Sequence, residues 1–108
     1  MSTETQTMSQ QDAKQLLDQK QAVFVDIRDP DSFEVAHIPG AQHLTEDTLE
    51  EFVAKTDKNS TLVCCCYHGI ASRQAAQLLA QSGFVKVFSL DGGFEEWRQN
   101  YPDAVTQA

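Results

Sequence analysis

Two short runs in this chain are apolar at successive positions rather than at alternate ones. They are Ala22-Val23-Phe24-Val25-Asp26-Ile27, polar only near its end, and Thr61-Leu62-Val63-Cys64-Cys65. A strand with one wet face alternates, so an unbroken run rich in β-branched residues marks a strand covered on both sides. Parallel strands need crossover connections of a dozen residues or more, which are usually helices. The segments around the two runs read accordingly.

The first helix is expected over 10–20, with Ser9 as N-cap, Asp12 as its capping-box partner and an apolar stripe of Ala13, Leu16 and Leu17. Asp29 then Pro30 read as N-cap and first helical position of a short helix carrying Phe33 and Ala36. His37-Ile38-Pro39-Gly40-Ala41 is a turn into a short segment around Gln42-His43-Leu44. A further helix is expected from near Asp47, with Glu50 at the capping position and Leu49, Phe52 and Val53 inward, broken by Asp57-Lys58-Asn59-Ser60. After Tyr67-His68-Gly69-Ile70-Ala71, Ser72 reads as N-cap of a helix over 73–81, buried through Ala75, Ala76, Leu78 and Leu79 and closed by Gly83. Phe84-Val85-Lys86-Val87-Phe88 is a third strand, and Asp91-Gly92-Gly93 turns into a helix with Phe94 and Trp97 that stops before Pro102.

The expected fold is α/β: a mainly parallel central sheet with helices on both faces, three layers in all. The 108 residues hold one core, placed at 9–102, with a flexible segment at 1–8 and a tail at 103–108. A composition of 41% hydrophobic and 22% charged residues fits a globular domain.

Charge narrows the function classes. The net charge is −8, with twelve acidic and five basic side chains in residues 1–60 against four and three in 61–108. Nucleic acid and anionic membrane are poor partners, while the nearly neutral second half still admits a small anion. The polar start Met1-Ser2-Thr3-Glu4-Thr5-Gln6-Thr7 has neither a basic nor an apolar run, so a cytoplasmic location is the expectation.

Cys64, Cys65 and Cys66 are consecutive, and neighbours on a strand point to opposite faces, so no disulfide loop is expected. Zinc is disfavoured too, because the Cys-x2-Cys turn and a second ligand pair are missing. Cys64 and Cys65 read as packing on alternate faces. Cys66 stands where the strand ends and is followed by five residues and a helix cap, so loop N–H groups and the helix terminus can converge on its sulfur. A free cysteine has a pKa of about 8.5, each unit of depression is worth about 1.4 kcal/mol, and helix-terminal placement depresses it.

Around Cys66, Gly69 supplies unusual backbone or close approach, and Tyr67 and His68 form the rim. His68 reads either as a donor to an anionic substrate or as an exposed loop residue. Arg73, in the first helical turn, points either to the mouth or into water. Arg28, with Arg73 a cationic candidate for a substrate oxyanion, stands beside Asp26 and Asp29 and reads rather as a structural ion pair or backbone contact, and His37 and His43 read as structural. Trp97 and Phe94 read as core or pocket wall, and Asp91 as holder of its turn.

Four segments in order carry a resemblance: Val25-Asp26-Ile27-Arg28-Asp29, His37-Ile38-Pro39-Gly40-Ala41, Cys66-Tyr67-His68-Gly69 and Asp91-Gly92-Gly93-Phe94-Glu95-Glu96-Trp97. The chain resembles the rhodanese family, closely its short bacterial thiosulfate sulfurtransferases encoded with glycerol-3-phosphate genes. That resemblance implies a rhodanese-like domain, catalysis by Cys66, and substrate binding by the loop Tyr67, His68, Gly69, Ile70, Ala71, Ser72 and Arg73. It further implies thiosulfate as donor, cyanide or a reduced dithiol protein such as thioredoxin as acceptor, and no metal or organic cofactor. Family members commonly place an arginine five residues after the cysteine; here Ala71 stands there, which implies weak substrate binding without a side-chain clamp. A cysteine-dependent phosphatase or arsenate reductase and a non-catalytic binding module are the competing readings; the Cys-x5-Arg signature would need arginine where Ser72 stands.

Overall fold

The two unbroken apolar runs are adjacent strands in the middle of one sheet. The protein, seen as a computed structural model, is described over residues 6–107. In chain order its elements are β1 (Gln6–Met8), α1 (Gln10–Gln19), β2 (Val23–Asp26), α2 (Pro30–Val35), β3 (Ala36–His37) and β4 (Gln42–His43). They continue with α3 (Glu46–Lys55), β5 (Thr61–Cys65), α4 (Ala71–Gln81), β6 (Lys86–Leu90), α5 (Gly93–Asn100) and β7 (Thr106–Gln107). Five strands form the main sheet in the order β1-β6-β5-β2-β4, every neighbour parallel. A small antiparallel pair, β3 with β7, lies apart.

The two faces of β2 and β5 bury different partners. Val25, Leu62 and Cys64 pack with Phe52 of α3 and with Ala76 and Leu79 of α4. Phe24, Val63 and Cys65 pack with Ala13 of α1 and with Phe94 and Trp97 of α5. The expected three-layer α/β architecture is therefore what forms, with α3 and α4 on one face and α1 and α5 on the other. Cys64 and Cys65 separate onto opposite faces, as their adjacency in an extended strand requires. No described helix is long and apolar enough to cross a membrane.

Several local expectations are corrected. Residues 1–5 of the segment placed at 1–8 lie outside the described residues, but Gln6–Met8 pair with Phe88–Leu90 as an edge strand. At the other end the stretch expected as a tail is tied down: the buried Trp97 indole donates to Ala104 O at 2.8 Å, and Thr106–Gln107 pair with β3. Helix α3 is capped by Thr45 with Thr48, not by Asp47 with Glu50, because Thr48 Oγ1 returns the bond to the Thr45 N–H. In α1 the Ser9 side chain does cap, accepting from the Asp12 N–H. The third strand runs over Lys86–Leu90, later than 84–88, since Phe84 is drawn into the core beside Phe52. Helix α4 begins at Ala71, so Ser72 is not its N-cap, and Leu78 is 45% exposed rather than buried.

One charged pair lies inside this framework. Asp26, at the end of β2, is 1% exposed and Arg28 is 6% exposed. Arg28 Nη2 donates to Asp26 Oδ2 at 2.7 Å and to Ala36 O at 2.6 Å, and its Nε to Asp26 Oδ1 at 3.0 Å. The guanidinium also lies 4.2 Å from the centre of the Phe94 ring. Burial works against its charge, but the bonds and charge of Asp26 outweigh this and hold the Arg28 pKa above its ordinary value. Arg28 is thus a structural ion pair, as expected.

Removing one partner of such a pair strands the other. Asp26→Ala should cost about 3–5 kcal/mol in urea unfolding followed by Trp97 fluorescence, whereas replacing both residues by apolar ones of similar volume should cost far less. A loss below about 1 kcal/mol in Asp26→Ala would mean that water reaches the stranded guanidinium.

Candidate active site

Strand β5 is the middle one of the five, and the chain leaves its carboxyl end at Cys66. Ligands of parallel α/β sheets sit beyond such strand ends, where the order of connections reverses. Here β2 leads outward to β4, and α3 then carries the chain back to β5 on the other side of β2.

Residues 67–70 curl around the sulfur before α4 begins. The Gly69 N–H donates to Cys66 Sγ at 3.1 Å and the Ser72 N–H at 3.2 Å. As a thiol, the sulfur donates in turn to Ser72 Oγ at 3.2 Å. Helix α4 has Ile70 at its N-cap with no side-chain bond, and it is the one described helix of the five whose first turn carries no acidic residue. Ser72 lies in that first turn, so the sulfur itself satisfies one of the free N–H groups that open a helix. An anion there also meets the positive end of the helix dipole.

The three cysteines consequently differ in acidity. Desolvation pushes the Cys64 thiol up to about 12, and desolvation with the Asp26 charge raises Cys65 well above an ordinary thiol. Cys66 is also desolvated, at 4% exposure, but bonds from the Ser72 side chain and from the Ser72, Gly69 and His68 main chain outweigh this and lower its pKa. All three are free of disulfides.

The loop owes its curvature to α5. Phe94 N–H donates to Cys66 O at 2.7 Å and Glu95 N–H to Tyr67 O at 3.0 Å, so α5 also opens without a side-chain cap and uses the loop instead. Two glycines make this approach feasible. A Cβ on Gly93, at φ +62°, would stand 2.6 Å from Cys66 O and from Tyr67 O, and one on Gly69, at φ +87°, would stand 2.8 Å from the Gly92 nitrogen.

The rim is fastened by polar contacts. The Tyr67 hydroxyl donates to Asp29 Oδ1 and pairs with Ser32 Oγ, while Asp29 caps α2. Those bonds, Tyr67 first and Ser32 next, hold the Asp29 carboxyl down to about 2. The Arg28 guanidinium lies 5.6 Å from the Tyr67 ring centre.

Of the residues expected at the site, Cys66, Gly69 and Ser72 meet at the sulfur. Tyr67, His68 and Ile70 are exposed on the rim, Ile70 at 71%, and Ala71 and Arg73 are exposed in the first turn of α4. His37 Nδ1 bonds to Phe33 O and His43 Nε2 to Arg28 O, consistent with structural roles. Among the described residues no group of three or more His, Cys, Asp and Glu is arranged to hold a metal. Reasoning from sequence missed Ser89, fully buried in β6 with its Oγ 2.7 Å from Ser72 Oγ, and the α5 amides that shape the loop.

Two outcomes follow. Iodoacetamide should label Cys66 alone in the folded protein, with a half-maximal rate at a pH below that of an ordinary thiol, and should reach Cys64 and Cys65 only after denaturation. Gly93→Ala should keep the overall circular dichroism but raise the pH of half-maximal labelling, because the added Cβ pushes the loop off α5.

Known structures share this fold. The rhodanese-like domain of the Alr3790 protein from Anabaena superposes with a TM-score of 0.82 at 22% identity, over 94% of this chain and 79% of that one. Reduced CoADR-RHD from Bacillus anthracis gives 0.80 at 20% identity, covering 94% of this chain, which spans only 18% of that protein's length. A Rhodopseudomonas palustris protein of unknown function, described as a possible tyrosine phosphatase, gives 0.76 at 29% identity over 89% of this chain and 81% of its own. The profile of the rhodanese-like domain matches residues 9–100, and the chain belongs to that family.

Proposed function

We propose that the protein is a thiosulfate sulfurtransferase in which Cys66 carries the sulfur as a persulfide. The observation that carries the proposal is the contrast within one tripeptide: of three consecutive cysteines, only Cys66 has converging N–H donors and a lowered pKa. A nucleophile needs its anionic form at neutral pH, and this sulfur is the one furnished for it.

The cycle has two displacements. The Cys66 thiolate attacks the outer sulfur of thiosulfate; an S–S bond forms, the bond to the sulfonate sulfur breaks, and its electron pair leaves with sulfite. Because sulfite departs as a stable anion, no strong general acid is needed. The terminal sulfur of the persulfide then occupies the space ringed by the loop of residues 67–72. An acceptor, cyanide or one thiolate of a dithiol protein such as thioredoxin, attacks that sulfur and returns the Cys66 thiolate. Neither step calls on a metal or an organic cofactor. Free cysteines suit the reducing cytoplasm, where we place the reaction.

Substrate contacts in this scheme come from main chain. Ala71 offers no cation, and Ser72, the position of the arginine in a Cys-x5-Arg phosphatase loop, is a fully buried hydroxyl turned onto the sulfur. A phosphoryl group at this site would lack its guanidinium clamp, which weighs against the phosphatase reading. Weak binding of thiosulfate, with a high KM, is the corollary.

Mass spectrometry tests the proposal. Brief treatment with thiosulfate should add the mass of one sulfur to wild type, Cys64→Ser and Cys65→Ser, and nothing to Cys66→Ser. The rate should fall as pH drops through the depressed Cys66 pKa, since the protonated thiol does not attack. A folded wild type that takes up no sulfur but hydrolyses an aryl phosphate would replace this reading with the phosphatase one. One that does neither would leave a binding module.

A further inference from the structure

Behind the sulfur stands a second buried hydroxyl that the cycle above does not use. Ser89 belongs to β6, in register with Cys64 of β5, on the face that packs against α4. The alternate residue of that face, Val87, is in the apolar core, and Ser89 has no exposed surface. A hydroxyl at such a position is costly unless it is hydrogen-bonded. Among the described residues its side chain has one partner, Ser72 Oγ at 2.7 Å, and Ser72 Oγ has one other, the Cys66 sulfur at 3.2 Å.

The hydrogens of this three-atom chain can be counted. With a neutral thiol, three hydrogens serve two links, and one is left without an acceptor inside the chain. With a thiolate, two hydrogens serve two links: Ser89 donates to Ser72, and Ser72 donates to sulfur. Within the chain only the anionic state pairs every hydrogen, and it aligns both O–H dipoles on the charge.

Ser72 by itself would be less well directed. A serine inside a helix can donate instead to the carbonyl four residues earlier, here His68. Ser89 removes that freedom by donating into the Ser72 oxygen from the sheet side. We propose that Ser89 is a positioning residue, which acts through Ser72 to keep a side-chain donor, beside the loop amides, aimed at the Cys66 sulfur. This deepens the sulfurtransferase reading without depending on the identity of the sulfur donor, because what it sets is the ionisation of Cys66.

The test is the pH dependence of single-site iodoacetamide labelling at Cys66, supported by thiolate absorbance, in Ser89→Ala, Ser72→Ala and the double variant. Ser72→Ala should raise the midpoint by about one to two pH units, the worth of one bond to a charged group. Ser89→Ala should raise it by roughly half a unit through lost alignment. The double variant should match Ser72→Ala alone, because Ser89 has no route to the sulfur except through Ser72. If Ser89→Ala does not fold, the pair Ser89→Thr and Ser89→Val compares hydroxyl with methyl at equal volume, and only the threonine variant should keep the wild-type midpoint.

An unchanged midpoint in Ser89→Ala, or threonine and valine variants that titrate alike, would overturn the assignment. So would a Ser89 shift that adds in full to that of Ser72→Ala, which is what a merely structural loosening would produce. Labelling separates this from the proposed activity. A shifted midpoint with no sulfur uptake from thiosulfate would keep Ser89 and reject the sulfurtransferase, and sulfur uptake with no shift would do the reverse.

Discussion

The N–H groups of Phe94 and Glu95 hold the carbonyls of Cys66 and Tyr67, and the loop around the Cys66 sulfur takes its shape from those two bonds. A peptide whose carbonyl is turned outward to a helix terminus is constrained in where its neighbours' amides can point. In this loop those of Gly69 and Ser72 point inward to the sulfur. Two helices thereby open without side-chain caps: α5 on the loop carbonyls and α4 on the sulfur. Unsatisfied helix donors are the common resource, and the loop is where both sets are discharged.

That arrangement rests on the sheet beneath it. The parallel register of β5 between β2 and β6 sets the height at which Cys66 emerges, and the Asp26 to Arg28 pair closes the neighbouring strand end. Arg28 lies over Phe94 of α5 and near Tyr67 of the loop, so one buried cation touches both partners of the loop docking. Its donors are engaged by the Asp26 carboxylate and the Ala36 carbonyl, and the contacts made to the Cys66 sulfur itself come from amides and the Ser72 hydroxyl.

Some of this was legible before any coordinates. Unbroken apolar runs at 22–27 and 61–65 announce doubly covered strands, and the placement of Cys66 at the end of one follows from its position just past the second run. Asp26 and Arg28 stand two apart at a strand end, close enough for the ion pair that forms. Capping was less legible. Threonines at 45 and 48 compete with Asp47 and Glu50 in the same window, and only the reciprocal Thr48 bond decides between them. Ser72 carries the residue type of an N-cap, yet it sits inside the helix because the sulfur performs that task.

Sequence alone determined the class of fold, the order of its main helices and central strands, and the place of Cys66 at a strand end, because periodicity and strand burial are local properties of the chain. Tertiary structure decided which of three chemically identical thiols is acidic, and that Ser89 stands behind it. Thiol acidity depends on donors brought from α4 and on a loop shaped by α5, remote in sequence from Cys64–Cys66. A serine in a strand shares a face with the residues two positions away, but carries no mark of what lies across the gap. Those facts are set by packing α4 onto β6, and no spacing along the chain encodes them.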